Sequence, residues 1–592
     1  MTKRFAFSAV LPFLLLSQAC TPEPQPPAPA VAPKLILHHA RVFTATGGAD
    51  AEAVAVGADG KYAAVGTNAE VLALAGPDTQ VVDMSATCPT PGVACKVLLP
   101  TWDDAHTHMV GFNPSDGILN DPAAFLPGDG PTLEQVQALF RQALAAQKPD
   151  GSGPLLPKGS RLVAYVGTSF LTDAAATRDA LDSVCGEDYL CLARGWSGHG
   201  TVAASPTLTH CGLSDTQPDI PGGYYERDAS GRITGKLHEA AEIRFLRCWI
   251  GEASDEQLAG LMKAYATTAV KYGVGRVQDM SLGMEHARAV RVTQLAQLPL
   301  RARVMCLPGS EGEACTPFDS PTVQASGTKR FADGTPFERA GCTSRPYQDA
   351  PWTSGHCNWT DAELESFFRQ QLAQPAGPES QVLVHAMGDK ALTQVLDAME
   401  ATGGAAAWKG RRLRVEHGTM LYSANDVARA SALGVYVSQQ GNHLAFVDPV
   451  DGVPSYAKRF EGDIFVQMDP IRSLATAGLH LNFGTDGVGF PISSYLDLAL
   501  TTTHPMRPGE ALPMREALVA YTRGSAESAF DEDKRGSIQV GLDADFQVPT
   551  VDVLQEGLPF TAVASAMAHA TFIAGKPVWD DGSLTPEGGW RQ

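Results

Sequence analysis

The 592-residue chain has no Cys-x-x-Cys pair, no apolar run long enough to cross a bilayer, no repeat of solenoid period and too few basic residues to balance its acids. Each shortage removes a class of function. Without closely spaced cysteine pairs, a structural zinc knuckle is excluded. Lys and Arg total 45 against 65 Asp and Glu, a formal net charge of −20, which argues against non-specific binding to nucleic acid or to anionic membranes. The lack of repeats excludes solenoids and propellers. What is present is a globular composition, 44% hydrophobic and 19% charged. The length exceeds one ordinary domain and suits a barrel with a companion domain.

The chain begins MTKRFAFSAVLPFLLLSQAC. Lys3 and Arg4 precede a short apolar run, Phe5–Leu16, which reads as a signal-peptide core rather than a membrane span. Ser17-Gln18-Ala19-Cys20 then resembles a bacterial lipoprotein box, although Ser17 stands where leucine is usual. The expectation is a lipoprotein-type signal peptide over 1–20 with Cys20 lipidated, followed by a Pro-rich tether over 21–33. The protein would then be exported and anchored in the cell envelope by its lipid. The alternative is a soluble periplasmic or secreted protein with Cys20 incidental. Beyond Cys20, ten cysteines fall in neighbouring pairs: 88/95, 185/191, 211/248, 306/315 and 342/357. In an oxidising compartment local disulfides are the natural reading, although sequence alone does not fix connectivity.

From Lys34, LILHHARVFTATG and AEAVAVGADGKYAAVG carry short β-rich runs broken by Gly and Asp-Gly, and a similar texture returns near the end in GSIQVGLDADFQVPTVDV and ATFIAGKPVWDDG. One small β-sandwich domain built from both termini, 34–98 with 535–592, is expected. Between them strands alternate with helices. Capping boxes at Thr132, Ser254 and Thr360 mark helix starts, and Gly273 and Gly434 mark helix ends. Eight strands follow in order: VLLPTW running into DDAHTH, then GRVQDM, RARVMC, TKRFADG, QVLVHAMG, RLRVEHG, VYVSQQ and HLNFGTDG. This is an α/β pattern and predicts a (β/α)₈ TIM-like barrel over 99–534. The gap after the first strand calls for an inserted subdomain at about 112–260.

In DDAHTH, His106 and His108 are two apart, so on a strand they share a face. Other polar residues stand at later strand ends, where barrels carry their chemistry: Lys329 on the fourth, His385 on the fifth, His417 on the sixth and Asp486 after the eighth. Any one histidine is more often simply hydrogen-bonded than metal-bound. The set in this order suits zinc or a similar divalent ion.

That order, HxH, Lys, His, His, Asp, resembles the amidohydrolase superfamily, in its YtcJ-like branch with the N-substituted formamide deformylases. The resemblance covers about 35–580. LARGWSGHGTVAAS, PGGYYERDASGRITGKLHEAA, TKRFADGTPFERAGCTSRPYQD, HAMGDKALTQVLDAME, RVEHGTM, SQQGNH and GTDG carry it. Two positions depart: Thr101 replaces the glycine of the family's "PGF" stretch, and Ala204-Ser205 replaces "NS".

The resemblance implies a metal-dependent hydrolase that cleaves an amide, formamide or cyclic amide C–N bond with a metal-activated hydroxide. His106, His108 and Asp486 would hold one divalent ion, zinc by default, and His385 and His417 a second. Lys329, N6-carboxylated by CO₂, would bridge them, and Asp486 would move the proton. A one-metal site with Lys329 unmodified is the alternative. His199, Glu239, Asp333 and His443 are candidates to touch substrate, with Gln440 and Arg339 behind them. Ring deamination or ester cleavage uses the same chemistry, and a non-catalytic surface binding lipoprotein is a more distant alternative. The expected partner is a small-molecule substrate, with no nucleic acid and no membrane contact beyond the lipid anchor. A homo-oligomer is compatible with the sequence.

Overall fold

Eight parallel strands run around the centre of the computed structural model: β1 (Trp102–Thr107), β2 (Val274–Asp279), β3 (Arg301–Cys306), β4 (Val323–Phe331), β5 (Val382–Ala386), β6 (Arg414–His417), β7 (Tyr436–Gln439) and β8 (His480–Phe483). The structure describes residues 32–592, except 91, 122–128, 310–311, 446–454, 488–491, 585, 587–588 and 591–592. The expected signal peptide, Cys20 and nearly all of the tether lie outside the described residues. Each strand pairs in parallel with the next from β1 to β8. The ring closes at its C-terminal mouth through backbone hydrogen bonds. Asp486 N donates to His106 O at 2.8 Å, and His108 N donates to Gly487 O. Gly484 permits this approach, because a Cβ there would stand 2.2 Å from His106 N. The fold is the expected TIM-like barrel.

Strands β1, β2, β3 and β5 are buried along their whole length, as parallel strands covered on both faces must be. The predicted capping boxes are present at Thr132, Ser254 and Thr360. Gly273 and Gly434 end their helices in the left-handed region, at φ 81° and 73°, where glycine has no Cβ penalty.

Two smaller sheets lie at the N-terminal and C-terminal parts of the chain. One orders Tyr62–Gly66, Ala53–Val56, Leu35–His38 and Gln80–Asp83. The other orders Arg41–Val42, Val97–Pro100, Phe546–Pro549, Ala568–Ile573 and Lys576–Asp580. Val42, Val54, Tyr62, Phe546 and Phe572 share one core across the two. The continuous strand expected from VLLPTW into DDAHTH is divided at Thr101. Val97–Pro100 pairs with Phe546–Pro549 in the small sheet, whereas Trp102–Thr107 belongs to the barrel. The divide has a local cause. Pro100 has no N–H to continue a ladder, and Thr101 N turns to Asp545 O while Trp102 N turns to Gly273 O.

Between β1 and β2 the chain builds a six-stranded sheet in the order Gly223–Arg227, Ile233–Glu239, Gly200–Ala203, Leu190–Gly195, Arg161–Val166 and Gly117–Ile118. It has its own core, including Val136, Phe140, Leu162 and Leu181. The last long strand of this sheet ends at Glu239, beside the mouth of the barrel.

Five disulfides join Cys88 to Cys95, Cys185 to Cys191, Cys211 to Cys248, Cys306 to Cys315 and Cys342 to Cys357. These are the neighbouring pairs of the sequence. They close loops of unequal length, with separations of 6 residues for Cys185–Cys191 and 37 for Cys211–Cys248. On chain-entropy grounds, replacing Cys211 and Cys248 by serine should cost about 4 kcal/mol of unfolding free energy, against about 2 kcal/mol for Cys185 and Cys191. Urea unfolding of the two double variants measures this; equal losses would contradict the entropic account.

Candidate metal centre

The strand ends bring the sequence-predicted residues into one buried cluster. The rings of His106 and His108 lie 5.4 Å apart, those of His106 and His417 4.8 Å apart, and those of His417 and His385 4.6 Å apart. Asp486 faces them: its Oδ1 is 3.4 Å from His106 Nε2 and 3.2 Å from His108 Nε2. One ligand atom each from His106, His417 and Asp486 falls within 4.8 Å of the others. Lys329 is buried among them, and its nearest hydrogen-bonding contact is the weak acceptor Sδ of Met280, at 3.5 Å.

Outer contacts orient the imidazoles. His106 Nδ1 donates to Glu416 Oε2 at 2.5 Å, His108 Nδ1 to the Met280 carbonyl at 2.7 Å, and His417 Nδ1 to Gln440 Oε1 at 2.6 Å. In all three the outward nitrogen carries the proton, which leaves Nε2 turned to the cluster. This is the arrangement that orients metal-bound histidines. Glu416 is fixed in turn by Arg414 Nε at 2.5 Å. Arg414 Nη1 continues to Gln278 Oε1 at 2.7 Å, and Gln278 Nε2 to Asp103 Oδ1 at 3.1 Å. A polar ladder therefore fills the barrel beneath the site. Burial works against charge on Glu416, yet Arg414, Lys329 and His106 hold it well below the usual carboxylate range.

His385 makes the strongest case for a missing partner. It is fully buried, and neither ring nitrogen has a hydrogen bond. Its nearest acid, Asp333 Oδ1, is 3.8 Å from Nε2. Leaving a buried polar group unsatisfied costs about 1–3 kcal/mol. A divalent ion would relieve that cost, and imidazole with carboxylate is a suitable donor set. The residues present fit the metal.

Electrostatics agree with that reading. Burial, and then the charge of Lys329, lowers the His106 pKa to about 4, so this imidazole is neutral at pH 7. Burial alone would raise Asp486, but His106, His108 and His443 hold it well below the ordinary carboxylate value. Burial lowers Lys329 from 10.5 to about 8. His417 and Asp486 take positive φ, 71° and 52°, as does Glu239 at 54°. Such backbone costs about 1–3 kcal/mol per residue and concentrates at functional sites.

The second tier divides. His199 comes from the inserted sheet to within 4.6 Å of the His385 ring, and its Nδ1 pairs with Glu239 Oε2 at 2.9 Å. His443 stacks on His417 at 5.5 Å and sets Nε2 3.4 Å from Asp486 Oδ2. Asp333, another of the expected substrate contacts, accepts the backbone N–H groups of Cys342, Met387 and Gly388 at 2.9, 3.0 and 2.7 Å. It shapes the loops after β4 and β5. Arg339 is engaged away from the cluster, with Asp349 at 2.7 Å. Gln440 holds His417. Glu416 was not singled out from the sequence, although it stands next to His417; with Arg414 two residues earlier it forms an alternating polar pair that faces the barrel interior.

A family model described as the amidohydrolase family matches residues 96–579. The chain belongs to the amidohydrolase family. It is 26% identical over 509 residues to the putative amidohydrolase YtcJ of Bacillus subtilis, covering 82% of this chain and 89% of that one. It is 25% identical over 527 residues to the N-substituted formamide deformylase of Arthrobacter pascens, covering 84% and 90%. Among solved structures, an uncharacterized metal-dependent hydrolase from Pyrococcus horikoshii OT3 shares the fold, with a TM-score of 0.61 and 20% identity over 88% of this chain and 98% of that one. Membership of the amidohydrolase family makes the protein a hydrolase.

Glu416→Gln keeps the shape of the side chain and removes the charge behind His106. It should weaken metal binding about 10- to 100-fold, read by competition with a chromophoric chelator. Unchanged affinity would remove Glu416 from the metal's support.

Proposed function

We propose that the protein hydrolyses a C–N bond in an amide, formamide or cyclic amide. The observation that carries the reading is His385, a buried imidazole without a partner, facing His417 beside an ionised Asp486. The named activity of the Arthrobacter relative supports the choice of bond. In this reading His106, His108 and Asp486 hold one divalent ion, His385 and His417 hold another, and zinc is the default for both. Bound there, the ions would polarise the scissile carbonyl and lower the pKa of water toward neutrality.

The chain's own residues do the rest. Asp486 is ionised at neutral pH and is placed to accept a proton from the attacking water and return it to the leaving nitrogen. His199, tied to Glu239, and His443 flank the cluster and would orient the small-molecule substrate. Lys329 would become a carbamate: its ammonium first loses one proton to solvent, the neutral Nζ then attacks CO₂ and releases a second proton, and the side chain changes from a cation to an anionic carboxylate that could hold the ions. An unmodified ammonium would repel two adjacent cations. The five disulfides support an oxidising compartment, in line with an envelope lipoprotein anchored through Cys20.

Protein purified with bicarbonate should contain about two metal ions per chain, falling sharply in Lys329→Ala. His385→Ala should lose at least about 100-fold in kcat/KM on N-formylated amines, with formate and free amine as wild-type products. Metal-free protein, or full activity in His385→Ala, would overturn the reading; ammonia or an alcohol as the sole product would move it to deamination or ester cleavage. The Lys329 amine is neutral above its pKa of about 8. The rate at which chelated enzyme regains activity with added metal, at constant dissolved CO₂, should therefore rise as pH increases through about 8. A rate that falls over that range would contradict carbamate formation at Lys329.

A further inference from the structure

A second group of ligand atoms lies outside the barrel, on the small β-domain. His38 ends the strand Leu35–His38 and pairs in parallel register with Asp83, at the end of Gln80–Asp83. Side chains of directly paired residues stand on one face of a sheet. His39 follows His38 and would ordinarily point to the opposite face. It does not, because its backbone turns into the left-handed region at φ 54°, held there by a hydrogen bond from His39 N to Asn68 Oδ1 at 2.7 Å. The two imidazoles come to lie 4.5 Å apart, tilted by 56°. One nitrogen of each ring and one oxygen of Asp83 fall within 4.8 Å of one another.

The bonds within the group leave donor atoms over. Asp83 Oδ1 accepts from Ser85 N at 2.9 Å, from Ser85 Oγ at 2.7 Å and from His39 Nδ1 at 3.0 Å. These contacts fix the carboxylate and leave Oδ2 uncommitted. His38 is only 8% exposed, and its Nδ1 is buried with no hydrogen-bond partner. Burial also lowers the His38 pKa, which keeps the imidazole neutral and its lone pair available. Two imidazoles and a pinned carboxylate, with a buried ring nitrogen lacking a partner, are a donor set for a first-row divalent ion. Water would complete the coordination.

We propose that His38, His39 and Asp83 form a second metal site, for Zn²⁺ or a similar transition ion, independent of the barrel. Its role would be to pin the sheet-edge strand Gln80–Asp83 to Leu35–His38. The sheet it stands on carries none of the barrel-mouth residues described above.

The test uses the full chain with its barrel metals in place. His39→Asn keeps a residue that tolerates the left-handed backbone, and Asp83→Asn keeps the shape of the carboxylate. Wild-type protein titrated with Zn²⁺ should take up one equivalent more than either variant, and its thermal unfolding midpoint should rise with added Zn²⁺ by more than theirs. Hydrolase activity should be the same in all three. Equal zinc uptake by wild type and both variants would overturn the proposal, and so would an equal zinc-induced shift in midpoint. Because the readout is zinc uptake outside the barrel, the proposal can fail without touching the hydrolase assignment, and the reverse.

Discussion

Six imidazoles and the Lys329 ammonium crowd around Asp486 in a buried space at the mouth of the barrel, and their mutual electrostatics constrain everything around them. Buried imidazoles stay neutral because burial disfavours their charged form, as for His106, His199 and His385. Asp486 stays ionised because these rings surround it. Lys329 is left as a cation facing sulfur and aromatic carbon, with Met280 Sδ at 3.5 Å and the Phe331 ring at 5.2 Å. Such a cluster is poorly satisfied by its own members. In the proposed reading, bound cations and a carbamate would resolve each mismatch: His385 would gain a partner, Asp486 a ligand role, and Lys329 a charge of the right sign.

The barrel beneath is built to tolerate this. Its interior carries Arg414, Gln278, Asp103 and Arg276 in a continuous ladder that reaches Asp531, 2.8 Å from Arg276. Breaking one member of a buried charge network costs about 3–5 kcal/mol, because a charge is left unpaired. The ladder therefore fixes Glu416 firmly, and through it His106. Backbone closure adds to the rigidity. Asp486 is tied to His106 by the same hydrogen bond that seals β8 against β1, so the carboxylate and the imidazole keep their spacing as the ring closes. The inserted sheet then delivers His199 and Glu239 from the other side. The cluster is assembled from two sheets, so in the proposed reading the insertion would shape the substrate pocket while the barrel kept the chemistry.

Much of this was legible in the sequence because strand geometry is regular. The spacing of His106 and His108 announces a shared face, and both do turn to Asp486. The strand-end positions of Lys329, His385 and His417 follow from the alternation of strands and helices, and the disulfide pairs from their closeness along the chain. Other features escape a one-dimensional reading for physical reasons. Arg414 and Glu416 look like the solvent-facing half of an alternating strand, because charge on a strand usually marks the exposed face; only closure of the barrel turns them inward. The division at Thr101 is invisible in an unbroken run of strand-formers, since it depends on which neighbours the backbone finds. Positive φ at His417 and Asp486 leaves no mark in residue type. The backbone amides bound by Asp333 are likewise unreadable from its motif, because the three loop N–H groups meet only in the fold.

The central claim is that the strand-end cluster is a metal centre in which His385 is a ligand. Anomalous X-ray scattering from crystals of the purified protein, collected on either side of the absorption edge of the metal found by elemental analysis, tests it most directly. The account predicts anomalous density between His385 and His417, lying within coordination distance of a ring nitrogen of each. Density confined to other parts of the molecule, with His385 hydrogen-bonded to water alone, would contradict it.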